Sequence, residues 1–176
     1  MAKISEVDAP YLQKRLIELF NFDPGTGQFT YKRTRGKVGI GAVAGSLNKA
    51  HGYREIMLDY KSYRAHRLVW VWCFGEWPPV SIDHINGQKD DNRPANLRLA
   101  NANQNNANIG LTARNTSGIK GVSQKKGRTR WQAFIRYQGR TKFIGSFPTP
   151  DQAAAAYREA SLALHGQFSI FKRGAE

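Results

Sequence analysis

Apolar residues recur at helical spacing near the amino terminus of the chain. They form one stripe, which consists of Leu12, Leu16, Leu19 and Phe20. Asp8 can cap this helix, and Pro10 fits its first turn because no intrahelical amide partner is needed there. The pattern therefore predicts a helix whose stripe packs on a core.

Strand-like alternation and one apolar block follow this helix. Residues 28–32 predict a strand, and residues 53–58 and 63–66 predict two strands of a meander with a turn between them. Residues 66–75 form an apolar block, which predicts a buried helix that ends at Gly75. The side chains of this block that we expect in the core are Trp70, Trp72, Cys73 and Phe74.

The middle of the chain predicts a hairpin followed by a helix. Residues 81–85 and 96–100 alternate like strands around a polar loop, and residues 101–109 predict a helix. Adjacent side chains point to opposite faces of a strand, so Asp83 and His84 can serve one site only if the strand breaks at His84. With that break, the hairpin and helix would bring Asp83, His84 and Asn105 to one small cleft.

A second region begins after an irregular segment. Residues 109–117 show no periodicity, whereas residues 119–125, 130–137 and 141–147 predict three strands. A helix then begins with Thr149 as its cap and Pro150 at its first position, and ends at Gly166. The sequence thus predicts an α+β chain of two domains, residues 1–110 and 118–176, joined by a linker at residues 111–117.

Charge changes this picture more than overall composition does. Lys and Arg outnumber Asp and Glu by 27 to 13, for a formal net charge of +14. No carboxylate lies between Asp91 and Asp151, although eleven Lys or Arg residues do. A solvated face normally mixes both signs, so this stretch favours a polyanionic partner over general basicity.

A shorter basic stretch in the first region has two interpretations. Residues 35–50 are rich in glycine and carry several bases and no acid. They could track the phosphates of DNA or serve only as a flexible connection. The sequence leaves both open.

The cysteine content and the hydropathy of the chain limit which classes of protein it can belong to. Cys73 is the single cysteine, which excludes an intramolecular disulfide and a zinc site built on Cys-x-x-Cys pairs, so we expect no structural zinc. The sequence shows no signal peptide and no apolar run of membrane length. We therefore expect a cytoplasmic protein with no membrane partner.

Residues 82–108 carry a motif that resembles the phage and intron-encoded branch of the HNH endonucleases, with the pattern DHINGxxxDNRxxNLRxxxxxxN. The turn at residues 23–27 and the phrase HRLVWxxxxGxWP also resemble this family. The resemblance implies a ββα-metal core in which Asp83 and Asn105 bind Mg²⁺ or Mn²⁺, His84 is the general base, and Asn96 pins the loop beside it. Phosphodiester hydrolysis needs such a base and a cation, and a hard cation prefers oxygen ligands.

Three polar residues near this motif keep two interpretations each. His66 at an element boundary is either a hydrogen-bonded structural residue or a ligand. Asp90 and Asp91 are either solvated or capping residues of the loop or additional metal ligands. Without the resemblance, the whole motif could also be a polar surface hairpin with a salt-bridged Asp–His pair.

The second region resembles the plant ethylene-response-factor (APETALA-two) DNA-binding domain, through Gly121-Val122, residues 131–136, 144–147 and 153–157, and Leu164-His165-Gly166. That family places its sheet in the major groove. Ser123 and Thr141 stand where the plant pattern has arginine, and Lys142 stands where it is apolar. Trp131 fits core packing or base contact, whereas alternation puts Arg136 on the face away from Ala133 and Ile135.

Together the resemblances imply a metal-dependent HNH endonuclease, homing-type or free-standing and phage-encoded, that nicks double-stranded DNA in a bacterial host. We expect a monomer, although a dimer could cut both strands. The alternatives are a non-catalytic DNA-binding regulator with a relic HNH domain and an RNA-binding protein. The residues expected to contact DNA are Arg93, Arg98, Arg114, Lys120, Lys125, Arg128, Arg130, Arg136, Arg140, Lys142 and Phe143.

Overall fold

The computed structural model describes residues 8–113 and 115–172. Within these residues the chain is mixed α and β, with four α-helices and several small sheets. It divides into two compact units. One contains the described residues up to His84 together with Gln88–Leu99, and the other contains Ile85–Gly87 and the described residues from Ala100 onward. Arg114, one of the residues expected to contact DNA, lies outside the described residues.

The first unit begins with helix α1, Ala9–Leu19. The carboxylate of Asp8 accepts a hydrogen bond from the backbone amide of Tyr11 at 2.9 Å, as the capping pattern predicts. Strand β1, Phe20–Asp23, pairs antiparallel with β2, Gln28–Tyr31. The apolar stripe is buried as predicted, although Phe20 enters the core from the first position of β1.

A three-stranded antiparallel sheet and a second helix complete the frame of this unit. Strands β3 (Ser46–Asn48), β4 (Tyr53–Leu58) and β5 (Lys61–Arg64) lie in that order. Helix α2, Ala65–Phe74, follows directly and ends at Gly75 in the left-handed conformation, as predicted. The same core cluster contains side chains from α1, α2, β2 and β4.

The prediction that all large side chains of α2 are buried is wrong. Phe74 is 58% exposed and Cys73 is also exposed, whereas Trp72 packs partly buried against the core. The buried residues of α2 are instead Ala65, His66, Leu68, Val69 and Val71. A helix presents only one face to a core, so an apolar block longer than a turn leaves part of its surface outside.

A hairpin is present where the acid–histidine pair lies, as the sequence predicts. Strand β6, Ser81–His84, and strand β7, Leu97–Ala100, form a two-stranded sheet. A short 3₁₀-helix, Pro94–Asn96, leads into β7. The strand ends at His84, which is the break that a shared site for Asp83 and His84 requires.

The second unit contains helix α3, Ala102–Asn108, whose cap residue Asn101 and Gln104 form a reciprocal capping box. Strands β8 (Val122–Gln124), β9 (Trp131–Tyr137) and β10 (Arg140–Phe147) form an antiparallel sheet in the order β10-β9-β8. Helix α4, Pro150–His165, packs on this sheet. The core consists of Val122, Ala133, Ile135, Ala153 and Tyr157, and Trp131 packs partly buried against it.

No α-helix within residues 8–113 and 115–172 has the length and apolar character needed to cross a membrane.

The stability of the first unit should depend on the stripe of α1. Leu16 is fully buried, whereas its neighbour Ile17 on the same helix is 49% exposed. Leu16→Ala should lower the free energy of unfolding by about 3 kcal/mol through lost burial and a residual cavity. Ile17→Ala should lower it by less than about 1 kcal/mol. Urea titrations followed by tryptophan fluorescence would measure both, and equal losses would contradict the assignment of the core face.

Candidate functional site

The candidate site is built on the end of β6. Asp83 and His84 are its last two residues, and their exposed fractions are only 9% and 4%. Arg98 on β7 donates hydrogen bonds to Oδ2 of Asp83 from Nε at 2.9 Å and from Nη2 at 2.7 Å. This pairing offsets the cost of removing the carboxylate from water.

His84 is held by an asparagine of the following loop. Its Nε2 lies 3.2 Å from Oδ1 of Asn92, a residue that is 2% exposed. The amide nitrogen of Asn92 donates to the carbonyl oxygen of Asp90 at 3.3 Å, so the amide oxygen faces the imidazole. A carbonyl oxygen only accepts hydrogen bonds, and the contact therefore matches the tautomer of His84 that carries its proton on Nε2.

Burial sets the charge of this imidazole. Desolvation lowers the pKa of His84, and the hydrogen bond to Asn92 and the nearby carboxylate of Asp83 oppose that effect only in part. His84 is therefore neutral near pH 7. A neutral imidazole can accept a proton, as a general base must.

Asn96 closes the same loop. It is 7% exposed, and its Nδ2 donates to the carbonyl oxygen of Asp91 at 2.8 Å. Asp90 is paired with Arg54 through two contacts of 3.0 Å, and Asp91 is paired with Arg93 at 2.8 and 2.6 Å. The two acids whose roles the sequence leaves open thus each have a guanidinium partner.

Asn105 lies on α3, in the other compact unit. The structure thus gathers Asp83, His84 and Asn96 within one unit. A site that also includes Asn105 stays a prediction.

His66 is a neighbour of His84 that the sequence left ambiguous. Its ring centroid lies 5.1 Å from that of His84, with the ring planes at 86°. It is 3% exposed, and its Nδ1 is buried with no hydrogen-bond partner among the described residues. Burial is the largest cause that lowers the pKa of His66 to about 3, and His84 contributes next. The two adjacent imidazoles are therefore both neutral near pH 7.

A turn far away in sequence supports the loop. The carboxylate of Asp23 accepts hydrogen bonds from the amide of Gly25 and the hydroxyl of Thr26, both at 2.8 Å. Gly27 follows with φ at +71°, and a Cβ placed there would lie 2.3 Å from the backbone of Asn92 and Arg93. Only glycine allows this close approach. The turn resembling the HNH leader segment thus packs directly against the loop that holds His84.

The residues expected to contact DNA differ in their surroundings. Arg98 binds Asp83, Arg93 binds Asp91, and Nζ of Lys120 hydrogen-bonds the carbonyl oxygens of Asn106, Ala107 and Ile109 near the end of α3. Arg130 donates to the carbonyl oxygen of Ser146 at 2.5 Å. These four basic side chains therefore already have hydrogen-bond partners within the protein. Their contact with DNA stays a prediction.

The carboxy-terminal sheet exposes a basic face with aromatic side chains. Arg136 is exposed, while Ala133 and Ile135 face α4 as alternation predicts. Phe143 is 57% exposed and its ring centroid lies 5.3 Å from that of Phe134. The remaining predicted contacts of this sheet and its turns are exposed: Lys125, Arg128, Arg140 and Lys142. A groove of about 350 Å³ is lined by Lys125, Arg128, Arg130 and neighbouring polar residues.

Sequence reasoning missed two contributors to the site. Asn92 lies within the recognised motif, yet its position in an irregular loop gave no sign that it faces His84. His66 lies 18 positions before His84, and only the helix of which it is part brings the rings together. The capping residues and Asn96 could be recognised from the sequence around them. The contacts of Asn92 and His66 with His84 depend on how the chain folds.

The buried imidazole of His66 should make stability depend on pH. Its folded-state pKa of about 3 lies below the ordinary value of 6.5, so the unfolded chain binds the proton first as pH falls. This contribution is fully present above about pH 6.5 and is lost progressively toward pH 3. His66→Leu should flatten the dependence by up to about 1.4 kcal/mol per pH unit in that window. Urea titrations between pH 4 and 7 would measure the slopes, and identical slopes would contradict the assignment.

Replacement of Gly27 should destabilise the fold through a steric clash in addition to the strain of its positive φ angle. Gly41 has a similar φ of +79° but open space around it, so Gly41→Ala is a matched control. Gly41→Ala should cost about 1 kcal/mol, whereas Gly27→Ala should cost about 3 kcal/mol or more because the loop backbone must move. Only Gly27→Ala should also shift the imidazole NMR signals of His84. Equal losses and unshifted signals for both variants would show that the turn does not support the loop.

The sequence of this chain is similar to those of known HNH proteins and phage proteins. A family model described as HNH endonuclease matches residues 63–107, which include the last two residues of β5, all of α2, β6 and β7, and most of α3. Protein 3.8 of Escherichia phage T7 is 36% identical over 114 residues, which is 64% of this chain and 93% of that protein. An uncharacterized HNH endonuclease, L560, of Acanthamoeba polyphaga mimivirus is 31% identical over 120 residues, or 67% of this chain.

The chain spans 61% of the length of the mimivirus protein, less than two thirds. No solved structure matches the chain significantly. The family model covers the segment that carries Asp83, His84, Asn96 and Asn105, and the phage relative is matched over nearly its whole length. The chain contains an HNH endonuclease domain and belongs to the protein family that includes protein 3.8 of phage T7.

Proposed function

We propose that this protein is a metal-dependent HNH endonuclease that hydrolyses phosphodiester bonds in double-stranded DNA. The observation that carries the proposal is the pair Asp83–His84 at the end of β6. One member is a carboxylate held by Arg98, and the other is a neutral imidazole held by Asn92. A hydrolase of this kind needs such a fixed base beside a ligand for a cation.

His84 acts as the general base in this proposal. Its hydrogen bond to Asn92 fixes the plane of the ring, and burial keeps the ring unprotonated near pH 7. It would accept a proton from the water that attacks phosphorus. Asn96 contributes by closing the loop through the carbonyl oxygen of Asp91, so that Asn92 stays opposite His84.

Oxygen donors of the site fit a hard divalent cation. Asp83 and Asn105 would hold Mg²⁺ or Mn²⁺, and such an ion keeps several waters and substrate phosphate oxygens in its shell, so two protein ligands suffice. When bound, the ion supplies charge stabilisation at the phosphate and the leaving oxygen. In the part of the chain that the structure describes, no group of three or more His, Cys, Asp or Glu side chains could hold a metal.

The carboxy-terminal region supplies most of the affinity for DNA in this proposal. Residues 112–176 hold twelve Lys or Arg against three acids, net +9, whereas residues 1–111 hold fifteen against ten, net +5. The exposed face with Arg136 and Phe143 combines basic and aromatic side chains, which suits a nucleic acid. The three-stranded sheet on α4 supports the likeness to the APETALA-two domain, and it would hold the nuclease on duplex DNA.

The number of strands cut follows in this proposal from a single reactive site per chain. A monomer would nick one strand per encounter, and a dimer could cut both. The phage relative supports a phage-encoded protein. In this proposal it is a homing-type or free-standing enzyme that acts in the cytoplasm of a bacterial host. Nicking, the homing role and the monomeric state are parts of the same proposal.

His84→Ala should abolish cleavage while DNA affinity stays nearly unchanged. The general base is needed for chemistry and contributes typically 10²–10⁴-fold in rate, whereas affinity comes mainly from phosphate contacts. Nicking of supercoiled plasmid and fluorescence anisotropy with a duplex would measure the two quantities. His51→Gln is the matched control, because His51 is less buried and pairs with Glu55. A His84→Ala variant as active as the parent would remove His84 from the mechanism.

Asp83→Ala should change the response to metal. The variant should need a higher concentration of Mg²⁺ for half-maximal cleavage or lose cleavage altogether, and Asn105→Ala should act in the same direction. Each protein would be titrated with Mg²⁺ in the plasmid assay, with circular dichroism as a check on folding. Should both folded variants keep the titration curve of the parent, the ion must bind elsewhere, with Asp90 and Asp91 as the next candidates.

A further inference from the structure

The turn between β4 and β5 holds a tyrosine in an unfavourable backbone conformation. Leu58 pairs with Lys61, so the loop consists of two residues, Asp59 and Tyr60. Their φ angles are +45° and +63°. Two-residue hairpins of this kind favour Asn-Gly, because both central residues need positive φ and a bulky residue tolerates it poorly.

The first residue of this turn is anchored to α1. Arg15 donates to the carboxylate of Asp59 from Nε and from Nη2, each at 2.9 Å. The hydroxyl of Tyr11 donates to the same carboxylate at 2.9 Å. Three hydrogen bonds therefore hold the turn in place, and the charge of Asp59 is offset by Arg15.

Tyr60 itself contributes nothing to packing. It is 98% exposed, the highest exposure among the large hydrophobic residues that the structure describes. Glycine would relieve the backbone at this position without loss of any buried surface. Folding alone therefore gives no reason for an aromatic ring here, which points to a role in contact with another molecule.

A basic arm lies beside this turn. We define the basic arm as residues 32–41, which leave β2 at Tyr31 and return at Ala42, where the amide of Tyr31 donates to the carbonyl oxygen of Ala42 at 3.0 Å. Backbone hydrogen bonds of 2.9 and 3.1 Å between Arg35 and Val38 close its tip. The arm is therefore an ordered part of the unit. It is exposed throughout, and no acid occurs between Asp23 and Glu55.

The arm and the turn share one surface. Arg35 donates from Nη1 to the carbonyl oxygen of Met57 on β4 at 3.1 Å. Arg33, Arg35 and Tyr60 line one cavity of about 320 Å³, together with Arg15 and Asp59. The guanidinium groups and the exposed ring thus lie within reach of a single ligand.

We propose that the basic arm and Tyr60 form a second DNA-contact surface, in which the arginines bind phosphates and the ring packs on a sugar or base. This inference rests on the proposed function, and it extends DNA recognition to the unit that carries Asp83 and His84. Guanidinium groups suit phosphate oxygens, and aromatic rings suit the flat faces of nucleotides. The positive charge of the arm favours duplex DNA over a second copy of this basic chain.

The test uses the full chain with His84→Ala, so that binding is measured without cleavage. A fluorescent duplex of mixed sequence is titrated at several salt concentrations, with Tyr60→Gly, with Arg33→Gln plus Arg35→Gln, and with Lys14→Gln as a control that removes an exposed charge on α1. Tyr60→Gly should weaken binding about 5- to 20-fold. It should also raise Tm by about 2–4 °C, because the turn relaxes.

The arginine pair should reduce the slope of log affinity against log salt by about 1.8, while Lys14→Gln leaves both quantities near the parent values. Unchanged affinity of Tyr60→Gly on a parent that binds DNA would overturn the inference and leave the proposed function intact. If Tyr60→Gly or the arginine pair abolished self-association in sedimentation velocity and left DNA affinity unchanged, the inference would also be overturned. The surface would then be a protein interface. If the His84→Ala parent does not bind duplex DNA at low salt, the proposed function is overturned, and this inference with it.

Discussion

The ion pair between Asp83 and Arg98 is the interaction on which the site depends. A carboxylate that is 9% exposed is tolerated only with a partner, and Arg98 supplies two hydrogen bonds from the neighbouring strand. The pair joins β6 to β7 at the position where His84 ends β6. It thus keeps the carboxylate of Asp83 beside the neutral imidazole of His84 within a small two-stranded sheet.

Several contacts keep the imidazole of His84 in place. Asn92 bonds His84, Asn96 closes the loop, and Gly27 lets the turn of residues 23–27 press against the loop backbone. His66 packs edge-on against the imidazole from α2. These contacts come from three parts of the sequence, which are the loop after β6, the turn of residues 23–27 and helix α2, so the hairpin alone does not hold His84. This explains why the residues before β6 belong to the same compact unit.

Local chemistry made much of the fold predictable. Asp8 and Thr149 cap helices and Gly75 ends one, because each of these signals acts within four residues. Alternation alone placed Arg136 outside and Ile135 inside. By contrast, strand β1 was not predicted, because turn residues follow it directly. The exposure of Phe74 was not predicted either, because it depends on which face of α2 meets the core. The contact of His66 with His84 was not predicted because it joins α2 to β6, and the contact of Asn92 was not predicted because it depends on how the irregular loop after β6 folds.

We propose that the Asp83–His84 pair serves a metal-dependent nuclease. The most direct measurement is incubation of the unmodified protein with supercoiled plasmid at low salt, with Mg²⁺ or Mn²⁺ in one arm and excess chelator in the other. Open-circular DNA should accumulate with time only in the metal arm. Plasmid that stays supercoiled at every metal concentration, while a binding assay shows the protein bound to it, would contradict a nuclease role for Asp83 and His84.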